Sequence, residues 1–292
     1  MKAATYITLI LLSLTCSLTA NAQAIPTLGM IARLDQDSLL HAAGFRYMGE
    51  SVGRMLSPSL SEAEFQANLR KMNNAKAKVY VCNVLFPSTL KITGPDVNEE
   101  AVLTYLDKVL ARAKAAQIPL IVLGSGGARR LPEAYDYQQA KTEFTALCRK
   151  MAAVAKKHDV TIAIENLNST ETNFLNTLQE AADVVRGVNH PNFRLNADIY
   201  HMLKENEPPQ HIADAGNIIV YVEVAEKEKR TLPGVTGEDF KPYFNALKSF
   251  GYTGPVFIEG NVADPEKEIP LAHAYLTKQL REVYTPVHKN SK

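Results

Sequence analysis

The stretch "NIIVYVEVAE", residues 217–226, has the composition of a buried strand, yet it carries Glu223 inside its apolar run. A short Ile/Val-rich segment bounded by turn residues reads as a strand covered on both faces, as in a parallel sheet. The construction recurs. "VTIAIENLN" (160–168) runs into Glu165, "FRLNADIYHM" (193–202) into Asp198, and "GPVFIEG" (254–260) into Glu259. A single acid at a strand end serves more often as a helix N-cap or an ion-pair partner than as anything else. Four in succession ask for a common cause.

Outward from these four, the same alternation fills the chain. Further strands are expected at "TLGMIA" (27–32), "FRYMGE" (45–50), "KVYVCNV" (78–84) and "PLIVLG" (119–124). Segments of helical period follow near residues 36–43, 60–75, 98–116, 136–158, 175–187, 208–215, 237–250 and 265–285. Eight apolar strands, each followed by a helix, fit a single (β/α)8 TIM barrel of ordinary size. A doubly wound open sheet is the alternative, but the first strand–helix junction has no G-x-G-x-x-G.

In a barrel the chemistry gathers at the C-terminal ends of the strands. Glu165, Asp198, Glu223 and Glu259 fall at those ends on strands five to eight, so they are expected to converge on one side of the mouth. Carboxylates that close repel one another and raise one another's pKa values. A divalent cation resolves the conflict, and all-oxygen ligation favours Mg²⁺ or Mn²⁺ over zinc.

Composition bounds the rest. The first 22 residues hold Lys2, an apolar run and "ANA", the form of a secretory signal peptide, which leaves residues 23–292 as one domain. A lipid anchor at Cys16 is the weaker reading, because "SLT" precedes it poorly. A secreted or periplasmic location follows, with no membrane association after cleavage. The 32 basic and 31 acidic side chains give +1, and loss of Lys2 leaves zero. No basic field is present to gather nucleic acid, which argues against a nuclease. Cys82 and Cys148 fall in an expected strand and helix and form no disulfide framework. A homo-oligomer is compatible with the sequence.

Six stretches in order resemble the xylose isomerase-like TIM barrel superfamily, in its sugar isomerase/epimerase branch. They are "CNVLFP" (82–87), "GSGGARRLPEAY" (124–135), "IAIENLNSTETNFLNT" (162–177), "NADIYHM" (196–202), "AEKEKRTLPG" (225–234) and "GYTGPVFIEG" (251–260). The resemblance implies metal ligation by Glu165, Asp198 and Glu259, and substrate contact by His201 and Arg230. It also exposes a departure: where the family reads H-x-H on strand seven, with the second His a ligand, this chain has Tyr221 and Glu223. Glu223 either ligates in its place, making a harder site, or marks a site that has lost its metal.

The chemistry implied is proton transfer beside a sugar carbonyl, with Glu165 and Glu259 as the acid–base pair on opposite faces. Return of the proton to the other face gives epimerisation; a leaving group at the β-carbon makes the enzyme a lyase instead. "GSGGARR" is expected to bring N–H groups near a ligand, with Arg129 reaching a substrate oxygen, or simply to form a tight turn. Asn83 and Asn168 are expected to bind hydroxyls. An exported enzyme meets unphosphorylated keto-sugars or oxidised glycosides rather than sugar phosphates. A carbohydrate-binding protein with a retired site is the non-enzymatic alternative.

Overall fold

The computed structural model describes residues 23–285, so the leader reading of residues 1–22 lies outside the described residues. Eight parallel strands close into a barrel in sequence order: β1 (Leu28–Ile31), β2 (Tyr47–Ser51), β3 (Lys78–Asn83), β4 (Leu120–Leu123), β5 (Thr161–Glu165), β6 (Phe193–Asp198), β7 (Ile219–Val224) and β8 (Val256–Ile258). The outer layer is built from α1 (Asp37–Ala43), α3 (Glu62–Asn74), α4 (Glu99–Ala115), α6 (Tyr137–His158), α7 (Leu178–Val188), α9 (Gln210–Ala215), α10 (Lys241–Ser249) and α11 (Pro265–Tyr284). The (β/α)8 architecture read from the sequence is the one observed.

Helix starts differ where caps or loops intervene. Leu175 is left-handed (φ 59°) and Thr177 closes a capping box with Glu180, so α7 begins at Leu178 rather than 175. Likewise α10 starts only at Lys241, because the N–H groups of Gly234, Thr236, Gly237 and Glu238 are committed to the Glu226 carboxylate. Three short helices were not anticipated: α2 (Val52–Met55), α5 (Gly126–Arg129) and α8 (Ile199–Lys204). Each spans at most six residues, too few for a 3.6-residue period to register.

The main core lies between sheet and helices; a smaller one, of Val81, Leu120, Val122, Ala163, Tyr221 and Phe257, fills the barrel interior. Phe257 fits because β1 offers Gly29, where a Cβ would lie 2.4 Å from its ring. The registers of β3 on β2 and of β7 on β6 each shift by one residue. Met48 and Gly49 face Val79 and Val81, skipping Tyr80; Leu195 and Asn196 face Ile219 and Tyr221, skipping Val220. A one-residue slip reverses which face a side chain takes. Beyond the shifts, Val81 and Tyr221 point into the barrel while Val222 and Val224 pack outward. Two residues further on, the same period turns Asn83 and Glu223 to the axis.

Candidate metal and substrate site

Glu165 closes β5, Asp198 closes β6, Glu223 is the penultimate residue of β7, and Glu259 follows β8 directly. The strand ladder carries their alignment: Asp198 pairs with Glu223, and the Glu259 N–H donates to Val224 at 3.1 Å. Each of the four offers an oxygen within 4.8 Å of the other three, and Glu165, Asp198 and His201 form a second such group. The convergence expected at the mouth is present.

Glu165, Asp198 and Glu223 are buried and Glu259 is partly exposed. Glu223 is wholly buried; its Oε2 accepts from the Asn196 amide at 2.5 Å and its Oε1 from the Tyr221 hydroxyl at 3.3 Å. Glu259 accepts from the Asn83 amide and from Arg230 Nη2, the latter at 2.6 Å. Burial pushes the Glu165 and Glu223 carboxyls well above their ordinary range, and the neighbouring carboxylates push further. Burial also raises Glu259, against the pull of the Arg230 guanidinium.

His201 is equally enclosed. Its Nδ1 accepts from the Asn168 main-chain N–H at 3.2 Å and lies 2.8 Å from the Asn168 amide. A backbone N–H can only donate, so the neutral ring carries its proton on Nε2. Burial lowers the ring's pKa and keeps it neutral. That Nε2 lies 3.4 Å from both Glu165 and Asp198 and has no hydrogen-bond partner among the described residues. It is a donor aimed into the site. Asp198 Oδ1 caps α8 through the His201 N–H (3.3 Å), while the buried Oδ2 has no hydrogen-bond partner among the described residues, with Arg230 Nη2 3.5 Å away.

The donor set fits a hard divalent cation: four carboxylates in reach of one point, with a bare Asp198 oxygen among them. Glu165, Asp198, Glu223 and Glu259 would hold it.

Arg230 rises from the loop after β7. It bonds Glu259, stands 3.5 Å from Asp198 and 3.3 Å from Glu171, and stacks 4.7 Å over the Tyr200 ring. Of the acids in "AEKEK", Glu226 does not pair with it. Glu226 accepts instead from Thr231, Gly234, Thr236, Gly237 and Glu238, building the loop that carries Arg230. Burial alone would raise the Glu226 carboxyl, but these bonds, those from Thr236 foremost, hold it below its ordinary value.

Two of the expected substrate-binding residues are engaged within the protein. Asn168 does not line the mouth: its amide meets His201 and its Oδ1 accepts from Thr170. Arg129 is 0% exposed, and its Nη1 donates to the Glu165 main-chain carbonyl at 2.7 Å, behind β5. Burial pushes its guanidinium down to about 10. Other residues escaped the sequence reading. Asn166 exchanges bonds with the Asp198 main chain (3.2 and 3.1 Å), Asn196 supports Glu223, and Glu171 and Tyr200 hold Arg230. Asn196 could have been found, since it lies two residues before Asp198 on the same strand face.

A model of the xylose isomerase-like TIM barrel matches residues 38–279, and the chain belongs to that family. Among curated proteins it is similar to the L-ribulose 3-epimerase of Methylomonas sp. (strain DH-1), 32% identical over 133 residues, 44% of this chain and 46% of that protein. It is also similar to the putative hydroxypyruvate isomerase of Homo sapiens, 32% identical over 163 residues, 53% of this chain and 58% of the other. The chain thus spans about half the length of the curated relatives it matches. Among solved structures, an L-ribulose 3-epimerase superposes with a TM-score of 0.76 at 20% identity, covering 90% of this chain and 99% of that one. The 3-keto-D-glucoside 4-epimerase of E. coli gives 0.70 at 19% identity, covering 88% and 99%. At such identities the likeness is one of fold.

Proposed function

We propose that the protein is a metal-assisted keto-sugar epimerase or isomerase. The observation that carries this reading is the convergence of four carboxylates, three of them buried, beside a neutral His201 Nε2–H with no hydrogen-bond partner among the described residues. A bound Mn²⁺ or Mg²⁺ would polarise the sugar carbonyl and its neighbouring hydroxyl. Glu165 and Glu259, on β5 and after β8, flank the space between them. One removes the proton beside the carbonyl and the other returns a proton to the opposite face. Burial raises both carboxyls above their ordinary range, the direction that favours holding a proton. His201 donates from Nε2 to a substrate oxygen, and Arg230, held by Tyr200 and Glu171, reaches a hydroxyl from the rim. The relatives named as ketose epimerases support this class of chemistry.

The composition of residues 1–22 supports export to the periplasm or beyond, and with it an unphosphorylated keto-sugar or oxidised glycoside as substrate. The test is proton exchange in D₂O, followed by NMR. Mature protein with Mn²⁺ or Mg²⁺ is offered free ketoses and 3-keto-glycosides, with Glu165→Gln as control. Metal-dependent deuterium uptake beside the carbonyl, lost in the variant, is the expected result, and the products separate epimerisation from β-elimination. Sugar binding with no exchange across the panel would overturn the reading in favour of a binding protein.

A further inference from the structure

The glycine-rich segment after β4 has no role in the chemistry above, yet three of its glycines are in close quarters. A Cβ on Gly124 would lie 2.2 Å from Glu165 Oε2, one on Gly126 would lie 3.1 Å from the Glu171 carbonyl, and one on Gly127 would lie 2.8 Å from Ser88 Cβ. Two residues on, Arg129 turns back beneath β5 to bond the Glu165 carbonyl, and its own carbonyl is fixed by the Thr93 hydroxyl at 2.8 Å. The segment therefore meets Glu165 twice. Gly124 leaves open the space that the carboxylate occupies, and Arg129 clamps the main chain from which it projects.

We propose that Gly124 and Arg129 are positioning residues that set where the Glu165 carboxylate stands, and that the "GSGGARR" segment is built for this rather than for binding an anion. The proposal deepens the epimerase reading and rests on Glu165 having the ligand and acid–base role given there. A purely structural Arg129 is hard to justify. Its guanidinium is fully buried with one hydrogen bond, and its Nε and Nη2 have no partner among the described residues. A buried charge so sparsely satisfied contributes little to folding. A donor fixed to the Glu165 main-chain carbonyl holds the backbone from which the carboxylate projects, an indirect form of the support that outer partners give metal ligands.

Gly124→Ala is the discriminating variant. The only atoms within 3.4 Å of the added methyl belong to the end of the Glu165 side chain. Gly124 is also not among the described glycines with positive φ. The fold can therefore accept the methyl by displacing the carboxylate alone. Mn²⁺ affinity, read by EPR titration, and steady-state kinetics on a ketose turned over by the wild type are measured for Gly124→Ala, Arg129→Met and Arg129→Lys. Expected are a Mn²⁺ affinity weakened roughly 10–100-fold in the first two and kcat lowered similarly with KM within about threefold. Arg129→Lys, which can still donate to the Glu165 carbonyl, should recover part of both. Folded variants with wild-type Mn²⁺ affinity and kcat would overturn the proposal. Wild-type protein inactive on every sugar, but binding Mn²⁺ more tightly than both variants, would sink the epimerase reading and leave the positioning role standing. A wild type that binds no Mn²⁺ would overturn both.

Discussion

Glu223→Gln should change stability in opposite directions with and without metal. Each unit-charge pair in the cluster, with oxygens up to 4.8 Å apart, repels by roughly 3.5 kcal/mol at an effective dielectric constant of about 20. Burial and mutual repulsion raise the Glu165, Glu223 and Glu259 carboxyls, so the metal-free cluster shares protons and realises only part of that sum. Glutamine keeps the shape and an acceptor for Asn196 or Tyr221 while removing one charge. At pH 8 in EDTA the variant should gain about 2 kcal/mol, which for a chain of this size is a Tm higher by roughly 3 °C. With saturating Mn²⁺ the order should reverse. Loss of a direct ligand weakens binding at least as much as the roughly 100-fold seen for outer partners, and 100-fold is about 2.8 kcal/mol of lost stabilisation. Thermal denaturation of both proteins in EDTA and across a Mn²⁺ titration measures both effects. A variant less stable than wild type in EDTA would show that Glu223 is not repelled by the cluster, and an unchanged metal response would show that it is not a ligand.

Metal-free wild type should itself become more stable as pH falls from 8 toward 6.5. Burial holds the carboxyls of Glu165, Glu223 and Glu259 above 4.5 in the folded state. Their stabilising contribution is full below about pH 4.5 and is lost as pH rises through those raised values. His201, lowered by burial, opposes the trend only below its ordinary 6.5. Saturating Mn²⁺ should flatten or invert the slope, because the ligands must be deprotonated to bind; an identical slope with and without metal would contradict the assigned ligands. Replacing His201 with Phe should lower kcat/KM by roughly 10²–10³-fold, with Mn²⁺ affinity changed far less, as steady-state kinetics beside EPR titration would show. Glu226→Ala removes the acceptor for Thr231, Gly234, Thr236, Gly237 and Glu238. Its expected signature is faster limited proteolysis within residues 227–238 and a raised KM through Arg230, and an unchanged cleavage pattern would count against that account.

The eight strands and their helices were legible because each apolar run is short, β-branched and followed by a segment of helical period, so pattern and fold agree. The four carboxylates were legible for a related reason: barrel topology makes consecutive strand ends neighbours, whatever the side-chain details. The supporting residues were not. Arg129 follows a glycine-rich turn, which suggests a ligand loop, and only the path of α5 beneath β5 shows that its guanidinium faces the Glu165 carbonyl. Asn168 sits just past a strand end, where a hydroxyl contact is a fair expectation, and its pairing with His201 depends on the approach of α8. The register shifts at Tyr80 and Val220 leave no mark in hydropathy, because both skipped residues suit a strand.

Those shifts bear on why a strand of Ile, Val and Tyr contains a carboxylate. The skip at Val220 puts Tyr221 and Glu223 on the barrel axis, with Asn196 opposite on β6, so Glu223 meets only neutral donors from the protein. The nearby guanidiniums are engaged elsewhere: Arg230 lies at the rim against Glu259, and Arg129 lies behind β5 on a main-chain carbonyl. A histidine at position 223 would bring a neutral lone pair to the site, whereas glutamate brings a charge that Asn196 and Tyr221 can orient but not neutralise. A buried carboxylate in that setting either keeps a proton or faces a cation entering from the mouth. The three other carboxylates within reach make several protons and no cation the costlier arrangement. Glutamate where the family pattern has histidine thus adds a charge that a hard, oxygen-seeking ion would balance.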